Sequence, residues 1–457
     1  MNLTTTAWTT VRELNGPLLT VAGVTGVGWD EYAEIDVGGE DPRHGVVLAV
    51  QDDLAIVQVL EGTSGMDPDD TAVRFAGRPL RIAVGPGWLG RTCNGRGEPL
   101  DDGPPVSGPR TAAVSGTPMN PTRREPPADP VLTGVSAIDG LTTLVRGQKL
   151  PIFSQAGLPH LRLATQIAAQ STAAGEPFAV VFAGLGLTHP DADAVRDQLE
   201  GRAAVGELTM LLNTADDPVI ERILTPRLAL TVAEDLAFVE GRHVLVVLTD
   251  MTSYAEAVRE VSATRGEIPG RRAYPGYLYS DLASLYERCG RIRGQPGSVT
   301  ILPVLTMPAG DITHPVPDLT GYITEGQVVL SPDLSALGAY PPVDALSSLS
   351  RLMRHGAGPG RTRADHLDVA AQVMAALARA RQAGELADLV GPAGLSEADR
   401  HYLEFETAYR GTLLSQAPDE RRDLAETLRL AWQALSTLPR RELVLLPEAL
   451  LDEHGIR

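Results

Sequence analysis

Cysteine is nearly absent from this 457-residue chain: only Cys93 and Cys289 occur, far apart in sequence. That excludes a disulfide framework or a cysteine-based metal site, and it fits a reducing cytosol. Long hydrophobic runs are missing too. No stretch approaches the ~18 uninterrupted apolar residues that a membrane-spanning helix needs. The opening MNLTTTAWTTVREL has no basic segment followed by an apolar one, so no secretory signal is expected. Positive charge is in deficit: 58 Asp and Glu against 39 Lys and Arg leave a formal net charge of −19. Nucleic acid and anionic lipid both ask for a positive face, so neither is an expected direct partner. Internal repeats, low-complexity tracts and long runs of one sign are absent as well.

What remains is an ordinary globular composition, 43% apolar, long enough for two or three domains with sizeable cores. Residues 1–75 read as β, with short apolar runs at Leu18–Val21, Val46–Val50 and Ala55–Val59. Turn-forming pairs separate them (Asn15-Gly16, Gly38-Gly39, Asp52-Asp53), a pattern that predicts a small barrel or sandwich. Residues 76–130 are rich in Pro and Gly and read as a long, stiff connector lying over a neighbouring domain. From about Thr133 to Gly360 the pattern changes. Phe178–Phe182, Val244–Leu248 and Val299–Leu305 read as strands buried on both faces of a parallel sheet. Amphipathic stretches such as Ala192–Leu199 and Tyr254–Val261 are the helices expected between them. After Arg361 the chain reads as helical. Leu424, Leu428, Ala431 and Leu435 share one helix face, and Ser396 with Asp399 marks a helix start. The expected layout is therefore 1–75, a central segment 76–360 that includes the connector, and 361–457.

One segment of the central region carries chemistry by what it omits. Leu150–Gln170, LPIFSQAGLPHLRLATQIAAQ, runs from an apolar strand through a small-residue turn into a helix. A working phosphate-binding loop of this outline reads GxxxxGK[ST]: glycines open backbone N–H groups to phosphate, Lys reaches the β/γ oxygens, and Ser/Thr ligates magnesium. Here only Gly157 is left of the glycines, and Leu158, Pro159 and His160 fill the place of Gly-Lys-Thr.

Three further positions bear on the same chemistry. HVLVVLTD (243–250) is an apolar strand ending in Asp250, where nucleoside triphosphatases keep a carboxylate for magnesium. Strand-end Asp residues often cap helices instead, and without a phosphate-loop lysine the cap is the expected role. FAGLGLT (182–188) ends another strand where a carboxylate would orient an attacking water, and only Gly184, Leu185, Gly186 and Leu187 stand there. In SSLSRLMR (347–354), Arg351 is either a plain surface arginine or an arginine finger. As a finger its guanidinium would be offered to phosphates on a neighbouring subunit, a role worth roughly 10³–10⁵ in rate.

Longer stretches resemble one family from end to end. NGPLL (15–19), LGRTCNGRGEPLD (89–101), GTPMNP (116–121) and TGVSAIDGLTTLVRGQKLPIFS (133–154) belong to it, as do ADDPVIERILTPRLALTVAEDLAF (215–238) and HVLVVLTDMTSYAEAVREVS (243–262). EIPGRRAYPGYLYSDLASLYER (267–288), THPVPDLTGYITEGQVVLS (313–331) and SLSRLM (348–353) complete the set, in family order. The chain is similar to the B (beta, regulatory) subunits of the V-type/A-type rotary ATPases. The family's usual SGSGLP is SQAGLP here, and FAGLGLTHPDAD stands for the commoner FAAMGIT. Both changes leave less backbone freedom for cradling phosphate.

That resemblance implies an N-terminal β-barrel, a central α/β domain of the P-loop-NTPase (RecA-like) type with a parallel sheet, and a C-terminal helical bundle. It implies a noncatalytic subunit alternating with a catalytic A subunit in a hexameric ring, with a central rotor shaft and peripheral stalk as further partners. Arg351 matches the family arginine that reaches the neighbouring A subunit's ATP site. Gly157 and Asp250 match remnants of a nucleotide site. ATP or ADP with magnesium is then bound mainly by the partner, and none by this chain alone. The location implied is cytoplasmic, on the inner face of the cell membrane and in contact with it only through the complex, which couples ATP synthesis or hydrolysis to proton or sodium transport. Two other readings are an independent weak ATPase, which lacks its lysine and glutamate, and a noncatalytic interaction protein that has left the rotary complex.

Overall fold

A computed structural model describes residues 6–39 and 41–454. The chain groups into two compact units: the described residues up to Asn120 with Ala179–Arg288, and Pro121–Phe178 with the described residues from Cys289 onward.

The first unit begins with a seven-stranded antiparallel sheet. In spatial order its strands are Ala7–Trp8, Ala72–Pro79, Glu31–Asp36, Arg43–Gln51, Leu54–Val59, Leu18–Ala22 and Val11–Asn15. Leu54–Val59 alternates buried and half-buried residues, as a strand with one face on a core must. Leu19, Val21, Ile35, Val47, Val57, Val73 and Phe75 form that core. Trp8 on one edge strand and Leu14 on the other pack against this same cluster, so the sheet curls on itself as a barrel. The turns fall where the sequence places them, at Gly16 and at Asp52, both with positive φ.

The Pro/Gly-rich segment is more than the connector it reads as. Arg81–Val84 pairs antiparallel with Arg110–Ala113, and Thr92–Asn94 pairs parallel with Leu208–Thr214. Trp88 and Cys93 are buried, with the Trp88 indole N–H donating to the Ala83 carbonyl at 2.8 Å. Short runs flanked by Pro and Gly are hidden from a periodicity argument, because three or four residues carry no period. The rest of the unit's sheet runs His243–Thr249, Phe178–Leu187, Leu208–Thr214, Thr92–Asn94. His243–Thr249 is buried at every position, the signature of a strand covered on both faces. Helices His189–Ala204, Val219–Phe238 and Met251–Thr264 follow its strands.

In the second unit Ile152–Ser154 lies between Ser298–Thr306 and Gly326–Val329, parallel to both. Gly326–Val329 then takes Leu349–Ser350 as an antiparallel edge. The helical end comprises His366–Val390, Glu397–Thr412, Leu424–Leu435 and Glu448–Glu453. Leu428, Ala431 and Leu435 are buried as one face. Ser396 and Asp399 form a reciprocal capping box at the start of Glu397–Thr412. Among the described residues no helix is long and apolar enough to cross a membrane.

Candidate functional site

Strand Ile152–Ser154 is fully buried and delivers the chain into a turn that ends where helix His160–Gln170 begins. Gly157 sits in that turn at φ 84°, and a Cβ there would meet nothing within 4 Å. Its requirement is backbone conformation, not space. The turn closes on itself. Leu158 N–H donates to the Gln155 carbonyl at 3.1 Å, and His160 N–H to the Leu158 carbonyl at 2.9 Å. Pro159, at the N-cap, offers neither an N–H nor a side-chain cap. Two of the donors around the turn, Leu158 and His160 N–H, are thus spent inside it, and Pro159 has none to give.

Helix His160–Gln170 also organises an aromatic. The Tyr340 hydroxyl donates to Gln166 Oε1 at 2.9 Å, and the Arg162 guanidinium lies over the Tyr340 ring, 5.5 Å from its centre. Burial pushes the Tyr340 hydroxyl up to about 12, so it stays a neutral donor. Tyr340, the partner of Arg162 and Gln166, lies too far along the chain to be read from the sequence.

Arg351 follows directly on the edge strand Leu349–Ser350 and is exposed. Its N–H donates to the Glu325 carbonyl at 3.0 Å, while the guanidinium makes a single long bond, Nη1 to the Thr324 carbonyl at 3.5 Å. Among the described residues no carboxylate pairs with it. The Glu325 carboxylate is held instead by Lys149, whose ammonium lies 2.8 Å away. Lys149 is the only lysine of the chain. A count of lysines would have singled it out; motif spacing does not.

In the other unit, Asp250 is the N-cap of helix Met251–Thr264, its Oδ1 accepting from Thr252 N–H at 2.7 Å. Among the described residues no three His, Cys, Asp or Glu side chains are grouped to hold a metal. The strand end at Gly184–Leu187 is shaped by Asn213 and Arg222. Gly186, at φ 70°, donates to Asn213 Oδ1 at 3.0 Å, which also accepts from Arg222 Nε at 3.0 Å. A Cβ on Gly186 would lie 2.9 Å from that Nε. An arginine therefore lies against the backbone where a hydrolytic site would want a carboxylate.

Family profiles match this chain along most of its length. The ATP synthase alpha/beta family, nucleotide-binding domain, matches residues 134–350; the same family's β-barrel domain matches 11–77; the C-terminal domain of V and A type ATP synthase matches 355–455. The B subunit of the A-type ATP synthase from Aeropyrum pernix is 52% identical over 446 residues, 97% of this chain and 96% of that one. A solved structure, described as a unique ATP synthase subunit NeqB from Nanoarcheaum equitans, superposes with a TM-score of 0.72. It is 35% identical and covers 89% of this chain and 98% of its own. By that identity and coverage, the chain belongs to the ATP synthase alpha/beta family and, within it, with the A-type ATP synthase B subunits.

Proposed function

We propose that this chain is the noncatalytic B subunit of a V/A-type rotary ATPase, alternating with a catalytic A subunit in a hexameric ring and lending Arg351 to the adjacent ATP site. One contrast carries the reading. The turn in the place of a phosphate loop has no lysine and turns the Leu158 and His160 N–H groups onto its own carbonyls, and the chain's one lysine is committed to Glu325, while Arg351 keeps a guanidinium exposed and unpaired by any described carboxylate. A residue set of that kind does not fit a nucleotide held by this chain alone. It does fit a cation offered outward to phosphates that another chain holds.

In this reading ATP or ADP with magnesium belongs to the A subunit. Arg351 contributes a planar, permanently charged fork that stabilises the charge spreading over the transferred phosphoryl oxygens. Asp250 and Gly157 are structural remnants: a helix cap and a turn glycine. The domains are 1–75, 76–360 and 361–457. The rotor shaft and peripheral stalk are further partners, and the complex sits on the cytoplasmic face of the membrane, coupling ATP turnover to proton or sodium movement.

The test is Arg351→Ala in the assembled A–B complex. The ring is expected to form normally, with ATP turnover lower by roughly 10³-fold or more. Unchanged turnover in an intact complex removes Arg351 from the site. Hydrolysis by the isolated chain would favour an independent ATPase instead.

A further inference from the structure

An exposed arginine with four rotatable bonds gives up much rotamer freedom when it is held in one place. Arg351 gets little help from its own side chain, whose one bond is 3.5 Å long. Whatever aims it has to act through the backbone, and the backbone here is gripped from one side by two consecutive residues. Gln148 Nε2 donates to the Glu325 carbonyl at 3.2 Å and to Ser350 Oγ at 3.0 Å. Ser350 Oγ donates on to the Thr143 carbonyl at 3.2 Å. Next to Gln148, Lys149 takes both oxygens of Glu325: its ammonium reaches Oε1 and its own N–H reaches Oε2, each at 2.8 Å. The Glu325 carbonyl then accepts the Arg351 N–H at 3.0 Å.

The approach of the two strands leaves no slack for drift. Gly326 pairs with Ser350, and a Cβ on Gly326 would lie 2.1 Å from the Leu349 carbonyl. The chemistry at Glu325 explains why a lysine stands here when every other of the 39 basic residues is arginine. One carboxylate oxygen already belongs to a main-chain N–H, so the other needs a compact point charge. A planar guanidinium fork would compete for both. Lys149 is 5% exposed and Glu325 29%, so removing the ammonium strands a poorly solvated carboxylate on the very residue whose carbonyl holds Arg351.

We propose that Lys149 is a positioning residue for Arg351: by clamping the Glu325 carboxylate it fixes the carbonyl that carries the Arg351 backbone, and so the point from which the guanidinium projects. The inference rests on the reading of Arg351 as a group offered to a neighbour's nucleotide, but its physical part is independent of that reading. Two readouts separate them, both taken on the assembled A–B complex.

The first is hydrogen exchange of the Arg351 amide. Lys149→Gln is expected to speed it about tenfold or more while the barrel amides of residues 11–77 stay unchanged. The second is turnover: Lys149→Gln should lower kcat by about 10- to 100-fold with KM for ATP little moved, and Lys149→Arg should fall between it and the parent. In an Arg351→Ala background, Lys149→Gln should cost no further turnover. Should Lys149→Gln fail to assemble, Lys149→Met with Glu325→Gln removes the pair together and leaves no lone charge. The same exchange and turnover changes are expected of it. Unaltered exchange at Arg351, or a full additional loss of turnover in the double variant, overturns the proposal. Faster exchange with an Arg351→Ala complex of normal turnover supports the positioning and overturns the finger reading instead.

Discussion

Arg288, 1% exposed, donates Nε and Nη2 to the two oxygens of Glu234 at 2.8 and 2.7 Å. Its remaining donors are also placed: Nη1 to the carbonyls of Val114 and Arg227 at 3.2 and 3.1 Å, and Nη2 to Thr231 Oγ1 at 2.8 Å. One guanidinium thus ties the Pro/Gly-rich segment to helix Val219–Phe238. Removing only one partner of a buried pair leaves the other uncompensated, a loss of about 3–5 kcal/mol. Glu234→Ala is expected to lower the unfolding free energy measured by urea titration by that order, with a lower midpoint. Glu234→Gln, which keeps one acceptor, is expected to cost less. Equal midpoints for Glu234→Ala and the parent would show the pair to be dispensable.

Gly157 gives a test of backbone against space. A Cβ there meets nothing within 4 Å, but φ is 84°. Gly157→Ala is expected to destabilise by about 1–2 kcal/mol through left-handed backbone strain alone. Gly201, in helix His189–Ala204 with equally open space, should gain from the same change by about 0.5–1 kcal/mol. Denaturant midpoints of the two variants should move in opposite directions.

Glu221 predicts a pH dependence. Burial pushes its carboxyl up from 4.5 to about 7, Asp217 adds to the rise, and Arg96 and the Gly95 N–H oppose it. The folded chain keeps this proton where the unfolded chain has lost it, between pH 4.5 and about 7. Folded stability from this group therefore falls as pH rises through that window and levels off above it. Glu221→Gln removes the dependence, so the variant should gain on the parent by on the order of 2 kcal/mol between pH 5 and pH 8. Urea titrations at the two pH values measure it. A gain in the opposite direction would mean that the Gly95 N–H and Arg96 outweigh burial.

The single lysine makes its own burial measurable. Lys149 is 5% exposed and engaged with Glu325. Amine acylation of the folded chain at neutral pH is expected to leave Lys149 unmodified, and added urea to bring the modification in along the unfolding transition. Mass spectrometry of the one lysine-containing peptide reads it directly. Rapid labelling of the native chain would contradict the clamp on Glu325.

Long apolar runs were legible because period and length survive in sequence: His243–Thr249 and Phe178–Leu187 lie where the runs at Val244–Leu248 and Phe178–Phe182 predict. So was the Ser396–Asp399 cap, which is a local pattern. The strands Arg81–Val84 and Thr92–Asn94 were hidden, because four and three residues among prolines and glycines look like any loop. At the candidate site the empty places were readable and their occupants were not. The missing loop lysine is visible at residues 158–160. That Arg222 lies at the Gly186 strand end, and that Lys149 holds Glu325, depends on residues brought together from 36 and 176 positions apart, and no spacing rule spans such distances.

The edge strand Thr92–Asn94 sets a limit on how the molecule can add to itself. It is three residues long, and the chain turns back on it at once, with Cys93 bridged to Pro99 and Asn94 N–H donating to the Glu98 carbonyl at 2.8 Å. A longer bare edge is a template onto which any stray strand can zip, fibre-wise and without limit. At this edge that template is sealed by the chain's own hairpin, so a stray strand finds no open row of backbone groups here to extend.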